Sequence, residues 1–281
     1  MPTHAQFLPA TLALTATLGW GMSDFLGGYA ARRANAFLLT TITHLSGTLF
    51  VLMLALSMHS VFIEKRYVGW AMAAGVCGGL SLAIFYRALA IGNMGLIAPV
   101  GAVLGAVIPA IVDLFRDGIP GGMRITGFVL AAIGIWFISR AEGSSGNPRG
   151  LGLAVLAGIG FAGYFLCIRQ AGDGSVLWIA VLSRATSFLA TGVLVLLARQ
   201  FKPMDATGVG WGVLAGVLDI TGSVFFVSAS HAGRLDVAVM ISSLYPAFTV
   251  LLARLFLKEH FSRGRVVGLA AALLAVPMIA W

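Results

Sequence analysis

The chain has 281 residues, 59% of them hydrophobic and 10% charged, with a mean hydropathy of +0.97, which excludes a soluble domain of this size and assigns it to a lipid bilayer. The formal charge of +8 and pI near 10.2 do not point to nucleic acid, because Lys and Arg stand singly or in pairs at the ends of apolar runs rather than in one basic stripe. The runs are rich in Leu, Ala and Gly and lack period-2 alternation, so helices rather than barrel strands satisfy the backbone in lipid.

A crossing of about 30 Å needs about 20 apolar residues in helix, and ten windows meet that need: 8–30, 36–58, 68–90, 94–115, 123–140, 151–169, 176–198, 208–230, 235–257 and 264–281. No soluble domain remains. The N-terminus lacks the charged start and cleavage site of a signal peptide, so the first window is expected to stay in the mature protein.

In the first window, LGWGMSDFL places Asp24 one helical turn after Trp20, on the same face. Burying a charge at mid-bilayer costs about 2.5 to 3.5 kcal/mol on insertion scales. Asp24 is therefore a candidate to hold substrate or a proton, against a structural hydrogen bond to a neighbouring helix. His44 in the second window reads as a satisfied polar residue of a bundle. In the third, Arg87 is placed to hold a carboxylate bidentately or to snorkel to the headgroups. Gly101 and Gly105 in the fourth are four apart and suit close helix packing, while Pro109 frees a backbone carbonyl that must find a partner or a wet cavity. Asp113 and Arg116 are three apart and pair across one turn.

The polar stretch AEGSSGNPRG, 141–150, separates residues 1–140 from 151–281. In the sixth window GIGFAG satisfies a dinucleotide-binding pattern, but no strand precedes it. Phe161 and Tyr164 there are candidate aromatic walls. Arg184 in the seventh window and Arg254 in the ninth read as anchors or as partners to neighbouring acids. The eighth window carries Gly212 and Gly216, then Asp219 with Ser223 one turn on, a second buried-acid candidate. In the ninth, Ser242, Ser243 and Tyr245 precede Pro246, where hydroxyls and freed carbonyls together suit a polar ligand. Cys77 and Cys167 both fall inside windows, so no disulfide is expected, and no metal-ligand spacing, cofactor motif or Walker lysine occurs.

An offset of 141 residues brings Val68–Trp70 onto Val209–Trp211, Ala74–Val76 onto Ala215–Val217, Leu114 and Phe115 onto Leu255 and Phe256, and Gly127 onto Gly268. Five windows per half is odd, so the second half inserts from the opposite side. The expected fold is an all-α membrane protein of ten transmembrane helices arranged as two inverted five-helix repeats, a geometry that lets a site between the halves open to either side in turn. The charge bias is weak: six Lys or Arg follow even-numbered windows and nine follow odd-numbered ones, which by charge alone puts both termini outside.

The stretch from Ser242 to Leu274, with Pro246, Lys258 and Glu259, and Gly268, resembles the EamA branch of the drug/metabolite transporter superfamily. Gly19–Gly21 (GWG) and Tyr86–Val100 (YRALAIGNMGLIAPV) are similar to that branch's first span and its span three to four hairpin. There are departures: Asp117 and Gly118 stand in the first half where Lys258 and Glu259 stand in the second, and Asp24 occupies a position where relatives often carry Asn. The resemblance implies a secondary transporter of the bacterial cytoplasmic membrane that exports amino acids, metabolites or drugs between its halves, and termini in the cytoplasm, opposite to the charge count. Its implied partners are a small-molecule substrate, membrane lipids, and protons or a counter-substrate. A carrier of a lipid-linked intermediate is the competing reading. An intramembrane enzyme is disfavoured, because no paired acids, Cys–His arrangement or metal ligands recur at catalytic spacing.

Overall fold

The computed structural model describes residues 4–117, 121–139, 149–171, 175–197, 199, 204–232, 241–242, 244–259 and 263–280. Among these there are no strands, and ten helices account for most of the described residues. They are α1 (His4–Ala30), α2 (Ala36–Ser57), α3 (Lys65–Ile91), α4 (Met94–Asp117), α5 (Gly122–Ser139), α6 (Leu151–Gln170), α7 (Val176–Leu197), α8 (Ala206–Ala232), α9 (Tyr245–Leu257) and α10 (Arg263–Ala280). Five of them, α2, α3, α6, α7 and α8, are long and apolar enough to cross a membrane, and α4, α5, α9 and α10 hold shorter apolar stretches. Most of the polar stretch 141–150 and Ser243 lie outside the described residues, as do the side chains of Asp113 and Arg116.

Apolar and polar residues are arranged as lipid demands. Leu49, Met53 and Leu56 of α2 and Leu196 and Leu197 of α7 face outward, while Thr40, Thr43, His44, Ser183, Ser187 and Thr191 on the same two helices are buried. In water such an apolar exterior would be an aggregation surface. In lipid it costs nothing, and the buried hydroxyls satisfy themselves. Thr40 Oγ1 donates to Ala36 O at 2.6 Å and Thr191 Oγ1 to Ser187 O at 2.8 Å, each one turn back in its own helix.

Helices of the first half pack mainly against helices of the second. The contacting pairs are α1 with α8, α3 with α6, α2 with α7, α3 with α7, α2 with α8, α4 with α6, α1 with α9, and α5 with α10. Lipid supplies no hydrophobic drive for these contacts, so close backbone approach and interhelical hydrogen bonds hold them. Ser23 Oγ donates to Ala215 O at 2.8 Å, Ser187 Oγ to Gly75 O at 2.7 Å, Thr43 Oγ1 to Gly212 O at 3.2 Å and Thr249 Oγ1 to Gly21 O at 3.1 Å. A Cβ on Gly19 would come within 3.0 Å of Leu218 O, and one on Gly75 within 2.8 Å of Thr186 Cβ.

Gly101 and Gly105 lie where neighbouring side chains pack against α4. A Cβ on Gly101 would lie 2.9 Å from the Phe85 ring, and one on Gly105 would lie 3.5 Å from Phe161. Pro109 is inside α4 as expected. Pro246 instead occupies the first turn of α9 and is buried, a position where the missing N–H is tolerated because no intrahelical acceptor is available to it. Gly150 opens α6 with φ +84, in the left-handed region that glycine adopts without a steric penalty.

Candidate functional site

The interior of a bundle in lipid is the one region where ionisable side chains persist, and they do so when paired or directed at a ligand. Here they gather at one level, each supplied by a different helix. Arg184 of α7 forms an ion pair with Asp219 of α8, both side chains less than one-fifth exposed. Arg184 Nη1 also lies 3.5 Å from Nδ1 of His44, which α2 presents fully buried. Asp24 of α1 is 9% exposed and lies within electrostatic range of Asp219. Among the described residues no cation pairs with it. One carboxylate, that of Asp219, is paired with the guanidinium, and Asp24 stands beside that pair on the Asp219 side.

Polar and aromatic side chains close the cluster. Trp20 Nε1 donates to the Asp219 carbonyl at 3.1 Å and approaches Ser223 Oγ at 3.3 Å. Its ring packs on Phe226 at 5.6 Å and edge-on to Tyr245 at 5.9 Å. Tyr86 of α3, fully buried, places its hydroxyl 3.3 Å from Ser23 Oγ and within electrostatic range of Asp24, Asp219 and Arg184. Tyr164 of α6 lies within range of Arg184 and Asp219, and Tyr245 of α9 within range of both acids. The arrangement holds a guanidinium for an anionic group, an uncompensated carboxylate for a cationic group or proton, and aromatic rings for an apolar body.

Five residues singled out from the sequence meet here: Trp20, Asp24, Tyr164, Asp219 and Tyr245. Two do not. Arg87 is exposed and stands beside Tyr86 on the outward face of α3, which fits snorkelling and not a carboxylate clamp. Ser242 is buried against Ala13 O at 3.4 Å, and Thr17 Oγ1 donates to Ile241 O at 2.9 Å. That joins α1 to the segment before α9 at a level roughly 16 Å along α1 from Asp24. Ser243 is outside the described residues. Sequence reasoning undervalued Arg184, His44 and Tyr86. Their signal was faint, since a cation or ring within reach of a span end looks the same whether it turns to headgroups or inward.

Comparison with known proteins bears on what such a site does. Residues 148–281 match the EamA-like transporter family. The second half of this chain is an EamA-like transporter unit. That match, over just under half of the chain, and the apolar helices together support an integral membrane protein similar to the EamA-like members of the drug/metabolite transporter superfamily. An uncharacterized protein of Methanocaldococcus jannaschii is 25% identical over 129 residues, which are 46% of this EamA-like chain and 93% of the archaeal one. A solved crystal structure covers 96% of this chain and 95% of its own with a TM-score of 0.64 at 17% identity, a likeness in fold.

Proposed function

We propose that this EamA-like protein is a secondary transporter that moves small amphipathic metabolites, amino acids or drug-like compounds, as an exporter or exchanger in a bacterial cytoplasmic membrane. It works by alternating access between two inverted repeats of five spans each, residues 1–140 and 151–281. The observation that carries this reading is the cluster of Asp24, Asp219 and Arg184 between helices of opposite halves.

The pairings support the repeat. Exchanging the first five helices with the last five turns α1–α8 into α6–α3, α3–α7 into α8–α2 and α4–α6 into α9–α1, all of which are contacting pairs. The residue registers follow the same exchange. Gly19 of α1 meets Gly222 of α8, and Gly160 of α6 meets Ser81 of α3; each residue of the second pair is offset by 141 from its counterpart in the first (19 to 160, 81 to 222). The archaeal relative is nearly spanned by a match covering under half of this chain, which suits a five-helix unit as the elementary piece. In this reading one half rocks against the other about the cluster, and each side chain there changes its exposure to either face in turn.

A zwitterionic substrate offers its carboxylate to Arg184 and its ammonium to Asp24, so binding competes with the Arg184–Asp219 pair. When the site is empty that pair neutralises the guanidinium, and Asp24 is left to carry a proton or a counter-substrate. No nucleotide-hydrolysing motif is available, so an ion or solute gradient drives the cycle. The test is flux in proteoliposomes. Asp24→Asn is expected to lower or uncouple gradient-driven flux by about tenfold or more, the scale of losing one charge-assisted contact of about 1.5 to 3 kcal/mol, while the protein keeps its monodisperse folded form. Unchanged flux with unchanged pH dependence would remove Asp24 from the mechanism.

A further inference from the structure

The start of α4 is capped in an unusual way. A helix leaves its first N–H groups without intrahelical partners, and the residue before the helix normally satisfies them when it is Asn, Asp, Ser or Thr. Asn93 occupies that place, and its backbone carbonyl accepts from Leu96 N and Ile97 N at 3.0 Å each. Its side-chain Oδ1, however, is buried and makes no hydrogen bond among the described residues. The caps come from the other half of the protein. Glu259, after α9, accepts from Met94 N at 3.1 Å through Oε1 and from Gly95 N at 3.2 Å through Oε2. Arg32, just past α1, lies 3.5 Å from the same carboxylate.

The same chain shows what an Asn does when nothing displaces it. At α2, Asn35 Oδ1 accepts from Phe37 N at 2.9 Å and Leu38 N at 3.2 Å. Asn93 is built to do likewise for Gly95 and Leu96. Glu259 is only 10% exposed, and it reaches α4 because Lys258 turns the chain through the left-handed region at φ 53. At the other end of the molecule the contacts between halves are of a different kind: Ser60 Oγ meets Ser175 Oγ at 2.5 Å and Trp178 Nε1 donates to Ser60 O at 2.8 Å. The 141-residue counterpart of Glu259 is Gly118. The acid cap therefore belongs to one end of the molecule.

We propose that α4 carries an exchangeable N-cap, with Glu259 of the second half holding it in the arrangement seen here and Asn93 taking over when the Glu259 end of the molecule opens. This rests on the alternating-access reading above. The two caps work against each other. The carboxylate, attracted to the helix N-terminus and to Arg32, favours the joined arrangement. Asn93 lowers the cost of leaving it, because one of the freed N–H groups, that of Gly95, finds a partner at once. Glu259 and Asn93 are positioning residues that set the balance of the two arrangements, and neither touches the central cluster.

The test uses the full chain in proteoliposomes, with Cys77→Ser and Cys167→Ser and a reporter at Ser223→Cys beside Trp20. A charged, membrane-impermeant methanethiosulfonate is applied from either face. Glu259→Gln is expected to raise labelling from the Glu259 face by about fivefold and lower it from the other, the scale of one helix cap. Asn93→Ala is expected to shift both in the opposite sense by a similar factor. Loss of structure alone would raise labelling from both faces in both variants, and that result overturns the proposal. So does an unchanged ratio in both. Flux measured on the same vesicles separates the two claims. Sided shifts of opposite sign without flux of any tested solute support the cap exchange and count against transport, whereas flux without a shift counts against the cap exchange alone.

Discussion

At the level of single residues, Arg184 and Asp219 show why a buried ion pair is a liability as well as a site. Each has been taken out of a polar solvent, and their attraction is repaid only while both are present. Arg184→Gln is expected to lower stability by about 3 to 5 kcal/mol by leaving the Asp219 carboxylate uncompensated. The double variant Arg184→Gln with Asp219→Asn is expected to recover most of that loss. Unfolding in mixed micelles measures both, and equal losses in the single and double variants would contradict the pairing. Asp24 and Asp219 were legible in the sequence because an acid within an apolar run is conspicuous against what lipid tolerates. Arg184 was not, because the direction its side chain takes toward the interior depends on the packing of α7 with α2 and α3, which no local pattern encodes. The same ambiguity misdirected attention to Arg87, when its neighbour Tyr86 is the residue that turns inward.

At the level of helices, the end of α9 carries a local strain with a structural purpose. Lys258 follows the helix with φ 53 and ψ 37, where an L side chain crowds the carbonyl and costs roughly 1 to 2 kcal/mol. The turn directs Glu259 onto α4. Lys258→Gly keeps the turn without the crowding and is expected to raise stability by about 1 kcal/mol with Glu259 still in place, read as a higher melting temperature of the purified protein. A fall would show that the Lys258 side chain holds the turn in some other way. Helix positions were readable from apolar windows, which fall within a few residues of the observed bounds for most elements. The ninth window begins at 235, where residues 233–240 lie outside those described, and the described helix α9 begins at Tyr245 with Pro246 in its first turn.

At the level of the whole molecule, the proposed repeat rests in the sequence on an offset of 141 residues, which brings glycines of one half onto counterparts in the other. Which helix meets which was not legible there, because pairing α1 with α8 and α3 with α6 is set by where small residues let backbones approach, across nearly the full length of the chain. Those pairings put the acids and the guanidinium between the halves, and the central claim is that this cluster is reached from both membrane faces in turn. Labelling of the Ser223→Cys reporter in the otherwise unchanged cysteine-free protein tests it most directly, with the impermeant reagent supplied outside or trapped inside sealed vesicles of one orientation. The account predicts reaction from each face, with a transported solute slowing both. Reaction from one face only, whatever solute is present, would contradict it.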